Sequence, residues 1–373
     1  MDEALIFSRL DVPRILTAWG GGRAVYIPET AGAQTAFALF NPERGLSLHF
    51  GNTTLSPKSF LFPQTECLLR FATRGPEAGL CQTEPLGAQK RLLFGVRPCD
   101  AAAFALLDRV FAQDDRSTDP FWALRRERTL LVGLACNSPD ETCFCTAMGG
   151  GPHDTAGLDI LACDLGDEVL LRPVTDRGRA LLAEAAQAAT GVPARGERGG
   201  AALGQAEARR MGAEAVMARS PFVSGLTLEA VSRRSQRTVH ALGIWPKIAE
   251  TCLNCGVCTF TCPTCHCFDI QDETKGESGR RVRNWDTCMS WLFTAHASGH
   301  NPRPTKVERV RQRFMHKFKY MPMNLGGRPG CVGCGRCVRQ CPANIDIREV
   351  LRAMDMACRM APPSGSIPDE AAS

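Results

Sequence analysis

Two stretches of this chain repeat one pattern: Cys252-x2-Cys255-x2-Cys258-x3-Cys262-Pro263 and Cys331-x2-Cys334-x2-Cys337-x3-Cys341-Pro342. Three thiolates at this spacing wrap one turn of backbone around a face of an iron–sulfur cubane. The fourth points away and, in two-cluster ferredoxins, ligates the other cluster. The proline after it ends the turn. The pattern therefore assigns Cys252, Cys255, Cys258 and Cys341 to one [4Fe–4S] cluster, and Cys331, Cys334, Cys337 and Cys262 to a second. Gly256, Gly333 and Gly335 allow close approach of backbone to cluster, with free amides to hydrogen-bond its sulfur. A pair of zinc knuckles is the competing reading, but zinc sites favour separated CxxC pairs or Cys/His mixtures.

The chain has 373 residues and nineteen cysteines, seven before residue 200 and twelve after residue 250. Disulfide-rich secreted domains are normally much shorter, and the acidic N-terminus MDEALIFSRL lacks the basic and apolar regions of a secretory signal. No apolar run approaches the roughly 20 residues of a membrane span. These features predict a cytoplasmic protein in a reducing compartment, where clustered cysteines bind metal. A net charge of +5 is too mild for a dedicated nucleic-acid binder.

The pattern of elements predicts an α+β protein. Leu92–Val96, Leu130–Leu134 and Glu168–Arg172 read as strands, and Ala101–Phe111 and Arg177–Ala189 as helices, with Asp100 as an N-cap. This is the grammar of an α/β layer domain over residues 1–240. The Ala-, Gly- and Arg-rich stretch 190–219 reads as a partly helical connector or flexible insertion. Residues 241–360 then form a helical dicluster ferredoxin domain, and 361–373 a flexible tail. About seventy residues separate Cys262 from Cys331, and helical patterns at Cys288–Ala297 and Lys306–Phe318 predict a helical insertion. The basic run Arg303–Lys319 reads as a solvated face or as an electropositive docking surface.

A third group comprises Cys99 in RPCD and Cys136, Cys143 and Cys145 in ACNSPDETCFC. Cys99 and Cys136 each follow a strand, so neighbouring parallel strands would deliver both to one sheet edge. A third iron–sulfur cluster, [4Fe–4S] or [2Fe–2S], is expected there, with zinc or buried free thiols as the alternatives. Cys265, Cys267 and Cys288 are possible auxiliary ligands. Gly20–Gly22 and Gly149–Gly151 fit no nucleotide-binding pattern, so no flavin or NAD(P) is expected on this chain. No hydrolytic motif is present, and no catalytic residue is assigned.

The sequence resembles the iron–sulfur beta subunit of cytosolic sulfhydrogenase-type NiFe hydrogenases and the A subunit of anaerobic sulfite reductase. Six pieces carry the resemblance: Lys58–Glu66, Gly95–Phe111, Asp119–Pro152, Cys252–Ile270, Trp285–Phe318 and Cys331–Ile347. It implies a non-catalytic subunit of a hetero-oligomeric oxidoreductase. Such a subunit relays electrons between a flavin- and NAD(P)-binding diaphorase subunit and a catalytic subunit with further clusters, such as a NiFe hydrogenase. It also implies a cluster at Cys99, Cys136, Cys143 and Cys145. The same relay in a sulfite reductase or heterodisulfide-reductase-type flavin complex is the alternative, and a zinc-stabilised scaffold subunit is the second alternative.

Overall fold

A computed structural model describes residues 4–362 apart from 77, 80, 84–88 and 115–116. The tail expected over 361–373 therefore lies almost wholly outside the described residues. The strands, in chain order, are β1 (Leu5–Ser8), β2 (Ala24–Ala31), β3 (Gln34–Leu39), β4 (Thr65–Ala72), β5 (Cys81–Thr83) and β6 (Arg91–Val96). They continue as β7 (Thr129–Leu134), β8 (Ile160–Asp164), β9 (Glu168–Pro173), β10 (Val192–Pro193), β11 (Phe268–Lys275) and β12 (Ser278–Trp285).

Eight of them form one sheet in the order β10-β1-β9-β8-β7-β6-β2-β3, with β2, β6, β7 and β8 mutually parallel. The central strands are apolar on both faces, as a sheet covered on both sides requires. Along β6, Leu93 and Val96 enter one core with Phe104 and Leu107 of the helix Pro98–Phe111. Leu92 and Phe94 enter the other, with Leu16 and Trp19 of the helix Val12–Trp19 and Leu181 of the helix Asp176–Ala188. Pro98 opens its helix with a pre-set φ and no lost donor, and residues 101, 104, 107 and 111 recur on its buried face. Arg97, not Asp100, is the N-cap, because Asp100 is drawn into an ion pair within the first turn. The connector expected at 190–219 is instead one continuous helix, Gly196–Arg219.

A third core holds the C-terminal part together, with Phe314, Phe318, Leu351 and Met354 at its centre and Trp245 beside them. Phe144 and Met148, from the loop carrying Cys143 and Cys145, are packed into it. The N-terminal sheet unit and the cysteine-rich unit are thereby joined through that loop.

The insertion between the cysteine runs departs from its helical expectation. It opens with the β11–β12 hairpin, which pairs with β4 and extends a second sheet ordered β11-β12-β4-β5. Strand β12 is fixed there by Arg283, which is 4% exposed and bonds Glu66 of β4 and Asp119 at the start of the helix Pro120–Glu127. At Cys288–Ala297 only one short turn forms, Leu292–Thr294. The Thr287 and Ser290 hydroxyls accept the amides of Met289 and Leu292, which competes with helix propagation.

The tightest tie across the molecule is Arg336–Asp100. The guanidinium makes two bonds of 2.6 and 2.8 Å to the carboxylate, with side chains 0% and 1% exposed. Its remaining donors reach Thr53 O and Oγ1. Removing one partner of such a pair leaves a buried uncompensated charge. Asp100→Ala is expected to cost about 3–5 kcal/mol in denaturant unfolding. The Asp100→Leu/Arg336→Met double variant should recover most of that loss.

Candidate iron–sulfur centres

The two cysteine runs fold into equivalent loops. In the first, Asn254 (φ 54°) and Gly256 (φ 74°) flank Cys255 in the left-handed region; in the second, Gly333 (φ 65°) and Gly335 (φ 75°) flank Cys334. Each loop then enters a single helical turn, Val257–Phe260 or Arg336–Arg339, with the left-handed glycine as N-cap. The equivalence extends to sulfur: Asn254 N donates to Cys252 Sγ and Gly333 N to Cys331 Sγ, both at 3.4 Å. Asn254 is the residue sequence reasoning passed over, because asparagine is the commonest non-glycine visitor to this backbone region.

The structure brings the cysteines together in the crossed arrangement. Cys252, Cys255, Cys258 and Cys341 line one cavity with Met289, Val310 and Phe314. Cys337 reaches the same cavity from the neighbouring group. Cys262 is buried within electrostatic reach of Cys331, Cys334 and Cys337.

The third group lies directly beyond the second. Cys99 and Cys136 follow the parallel neighbours β6 and β7, as expected of one sheet edge. Cys143 and Cys145 fold back onto them, each within electrostatic reach of Cys136, and Cys99 senses Cys145. Arg97 is buried beneath this edge and orders it, donating to Gly51 O, Leu134 O and Ala135 O and stacking on Phe50 at 4.1 Å. The loop rests on the second run: Phe144 N donates to Gly333 O at 2.8 Å, and a Cβ on Gly333 or Gly335 would strike Phe144–Cys145 or Thr142. Asn52 pins the two groups together. Its amide donates to Cys334 O at 2.7 Å and lies 3.9 Å from Cys143 Sγ, and its carbonyl faces Cys99 Sγ at 3.6 Å. Nothing in the sequence around Asn52 marks it out.

The sulfurs of the two runs lie among buried cations, whereas the carboxylates of Asp100 and Asp140 stand near those of the third group. The basic stretch expected to be solvated or to face a partner turns inward at Arg309, Arg313, Lys317 and Lys319. Lys319 is spent on the carbonyls of Val231, Ser232 and Arg234. Arg313 lines the first cavity and lies within reach of Cys258 and Cys337, one from each run. Lys317 Nζ donates to Cys262 Sγ at 3.3 Å and to Thr264 Oγ1 at 3.0 Å. A helix starting at Lys306–Met315 and widening into a π-turn at His316–Tyr320 carries both. Arg336, the residue before Cys337, is neutralised by Asp100.

These residues fit iron–sulfur clusters. Arg313 Nε is buried without a hydrogen-bond partner, and cluster sulfide is the acceptor the site lacks. Among the described residues no three His, Cys, Asp or Glu side chains converge on a single-ion point. The first four cysteines surround a cavity instead, as ligands to separate irons do. Burial raises the thiols of Cys99, Cys136 and Cys145, and pushes Cys143 and Cys331 up to about 12. Metal loading must therefore displace protons from these sulfurs and weakens as pH falls.

Two outcomes follow from this geometry. Cys341→Ser should damage the centre built on the first run and Cys262→Ser that on the second, read by paramagnetic resonance of the dithionite-reduced protein. Arg313→Gln removes a positive charge shared by both centres and disfavours their reduced states. Their midpoint potentials should fall by roughly 60 mV or more, the equivalent of about 1.4 kcal/mol for one electron.

Residues 251–345 match the family model of the 4Fe-4S dicluster domain. The chain is also similar to the sulfhydrogenase 2 subunit beta of Pyrococcus furiosus, at 32% identity over 330 residues that cover 88% of this chain and 91% of that protein. No helix among the described residues is long and apolar enough to cross a membrane. With the crossed cysteine runs and near full-length similarity, the chain belongs to the family of iron–sulfur beta subunits of sulfhydrogenases.

Proposed function

We propose that this chain relays electrons through three iron–sulfur centres between a flavin- and NAD(P)-linked diaphorase subunit and a catalytic subnit of the NiFe hydrogenase type. The observation that carries the reading is the filing of the three cysteine groups. The first shares its cavity wall with Cys337 of the second, and the second touches the third through Asn52, Gly333 and Phe144.

Both ends of this file reach the surface. Cys255 is exposed at one end, beside Leu253 at 67% exposure. At the other, Cys99 and Cys145 of the third group, with Cys331 of the second, line an open cleft of ≈ 220 Å³ beside Arg109, Arg328 and the turn Gly149–Gly151. An acceptor at either mouth approaches a terminal centre directly, so the two mouths are the natural docking places for two partner subunits. When bound, each cluster supplies a one-electron centre whose potential is set by burial, nearby charge and amide hydrogen bonds. The protein's own part is to hold the sulfurs, exclude water and place Arg313, Lys317 and the loop amides around them.

The reading is tested on the anaerobically purified complex. Reduction with dithionite should give interacting S = 1/2 signals, with iron and acid-labile sulfide in equal amounts. Cys143→Ser should slow pyridine-nucleotide-linked turnover at least tenfold while the dicluster signals persist. Zinc without sulfide, or unimpaired turnover in Cys143→Ser, would contradict the relay.

A further inference from the structure

The two mouths differ in charge. The cavity of the first run is walled largely by apolar side chains, and its one charged residue among the described residues, Arg313, is buried. Leu253, at 67% exposure, and Phe260, whose ring stands against Gly256, continue that apolar rim onto the surface. The other mouth carries Arg109 and Arg328, both exposed. Cys265, Cys267 and Cys288, expected as auxiliary ligands, line neither cavity.

Both arginines are held on segments that deliver cysteines to the centres. Arg109 lies near the end of the helix Pro98–Phe111, which carries Cys99 in its first turn. Arg328 lies three residues before Cys331, on the turn that follows the helix Met321–Asn324. Leu106, Met321 and Leu325 pack with Val110 into one apolar cluster, which clamps the first helix to that turn. Gly326 and Gly327 have φ of 65° and 84°, and Gly327 N donates to Pro322 O at 2.8 Å. A Cβ on Gly326 would stand 3.3 Å from Arg109 Nη2, so the guanidinium lies directly against the turn. Neither arginine has an ion-pair partner among the described residues. Asp108, next in sequence to Arg109, is committed to Arg126 and Trp122. Asp154 is the one carboxylate described in the cleft wall, and its Oδ1 accepts Ala156 N.

Volume decides between a small molecule and a protein side chain. The cleft holds ≈ 220 Å³, below the roughly 300–1,000 Å³ of ordinary ligand pockets. A cluster held by Cys99 and Cys145 would take up part of that space. What remains admits one or two side chains rather than a nucleotide or a flavin. Guanidinium groups on two separate elements match carboxylates, which each can bind in two-pronged geometry.

We propose that this mouth docks an acidic surface of a partner subunit, whose Asp or Glu side chains enter the cleft and pair with Arg109 and Arg328. The proposal rests on the relay reading, which makes this mouth a subunit interface, and adds the chemistry of the partner. Charge pairs on two elements fix the partner's register against the third group. They also make docking sensitive to salt, as docking on the apolar first mouth is not.

The test uses the anaerobically purified intact complex. In Arg328→Lys the introduced amine, treated with a zero-length carbodiimide, should join to Asp or Glu of another subunit, identified by mass spectrometry of the cross-linked peptide. Arg109→Gln/Arg328→Gln should weaken that subunit's association about tenfold at low salt, the loss expected of two exposed ion pairs, and flatten its dependence on sodium chloride. Leu253→Ser, at the other mouth, should leave that salt dependence unchanged. Iron, sulfide and the paramagnetic signals should stay at wild-type levels in the arginine variants. No cross-link to another subunit, unchanged association in the double variant, or loss of the subunit only together with iron would overturn the proposal. Neither readout involves turnover, so failure of the relay, seen as zinc without sulfide or unimpaired Cys143→Ser turnover, is recognised separately.

Discussion

The buried ion pair between Arg336 and Asp100 is the interaction on which the arrangement of centres depends. Asp100 stands next to Cys99 at the sheet edge, and Arg336 stands next to Cys337 in the second run. Joining them fixes Cys99 of the third group against the second run at hydrogen-bond precision. A bidentate guanidinium–carboxylate pair has orientation as well as strength, which a hydrophobic contact of equal area lacks. Thr53, Asn52 and Phe144 then hold neighbouring loops to the same junction. The proposed relay would need fixed spacing between centres, and this junction holds the cysteine groups in fixed relation where two units of different architecture meet.

Charge is distributed by the same logic. Around the sulfurs the chain buries Arg313, Lys317 and Lys58, with Lys317 donating to Cys262 Sγ and Lys58 to Cys265 O. Clusters held by these sulfurs would compensate the buried cations, which would link cluster insertion to folding. Near the two runs, Arg313 and Lys317 would favour the reduced, more negative state of a bound cluster. One set of side chains thus serves assembly and redox potential together.

The 4Fe-4S dicluster domain was legible in the sequence, and the surroundings of its cysteines were not. The runs at Cys252–Cys262 and Cys331–Cys341 could be paired from their spacing, and Cys341 does join Cys252, Cys255 and Cys258 at one cavity. Cys99 and Cys136 could be placed together because an apolar strand before each implies neighbouring parallel positions. The basic run Arg303–Lys319 was misread, since the number of charges does not reveal which face of a helix meets sulfur. The β11–β12 hairpin was read as helical because its strand character comes from pairing with β4, more than 190 residues earlier. Asn52 and Lys58 carry no motif, and their roles arise only from tertiary contact.

The central claim is that iron–sulfur centres stand in file across the junction held by Arg336 and Asp100. An anomalous difference map at the iron absorption edge, from anaerobically grown crystals of the intact complex, tests it most directly. The account predicts iron peaks in the cavity of Cys252, Cys255, Cys258 and Cys341, among Cys331, Cys334, Cys337 and Cys262, and among Cys99, Cys136, Cys143 and Cys145. Iron at the two ferredoxin positions with none at the third, or zinc-edge signal there instead, would contradict it.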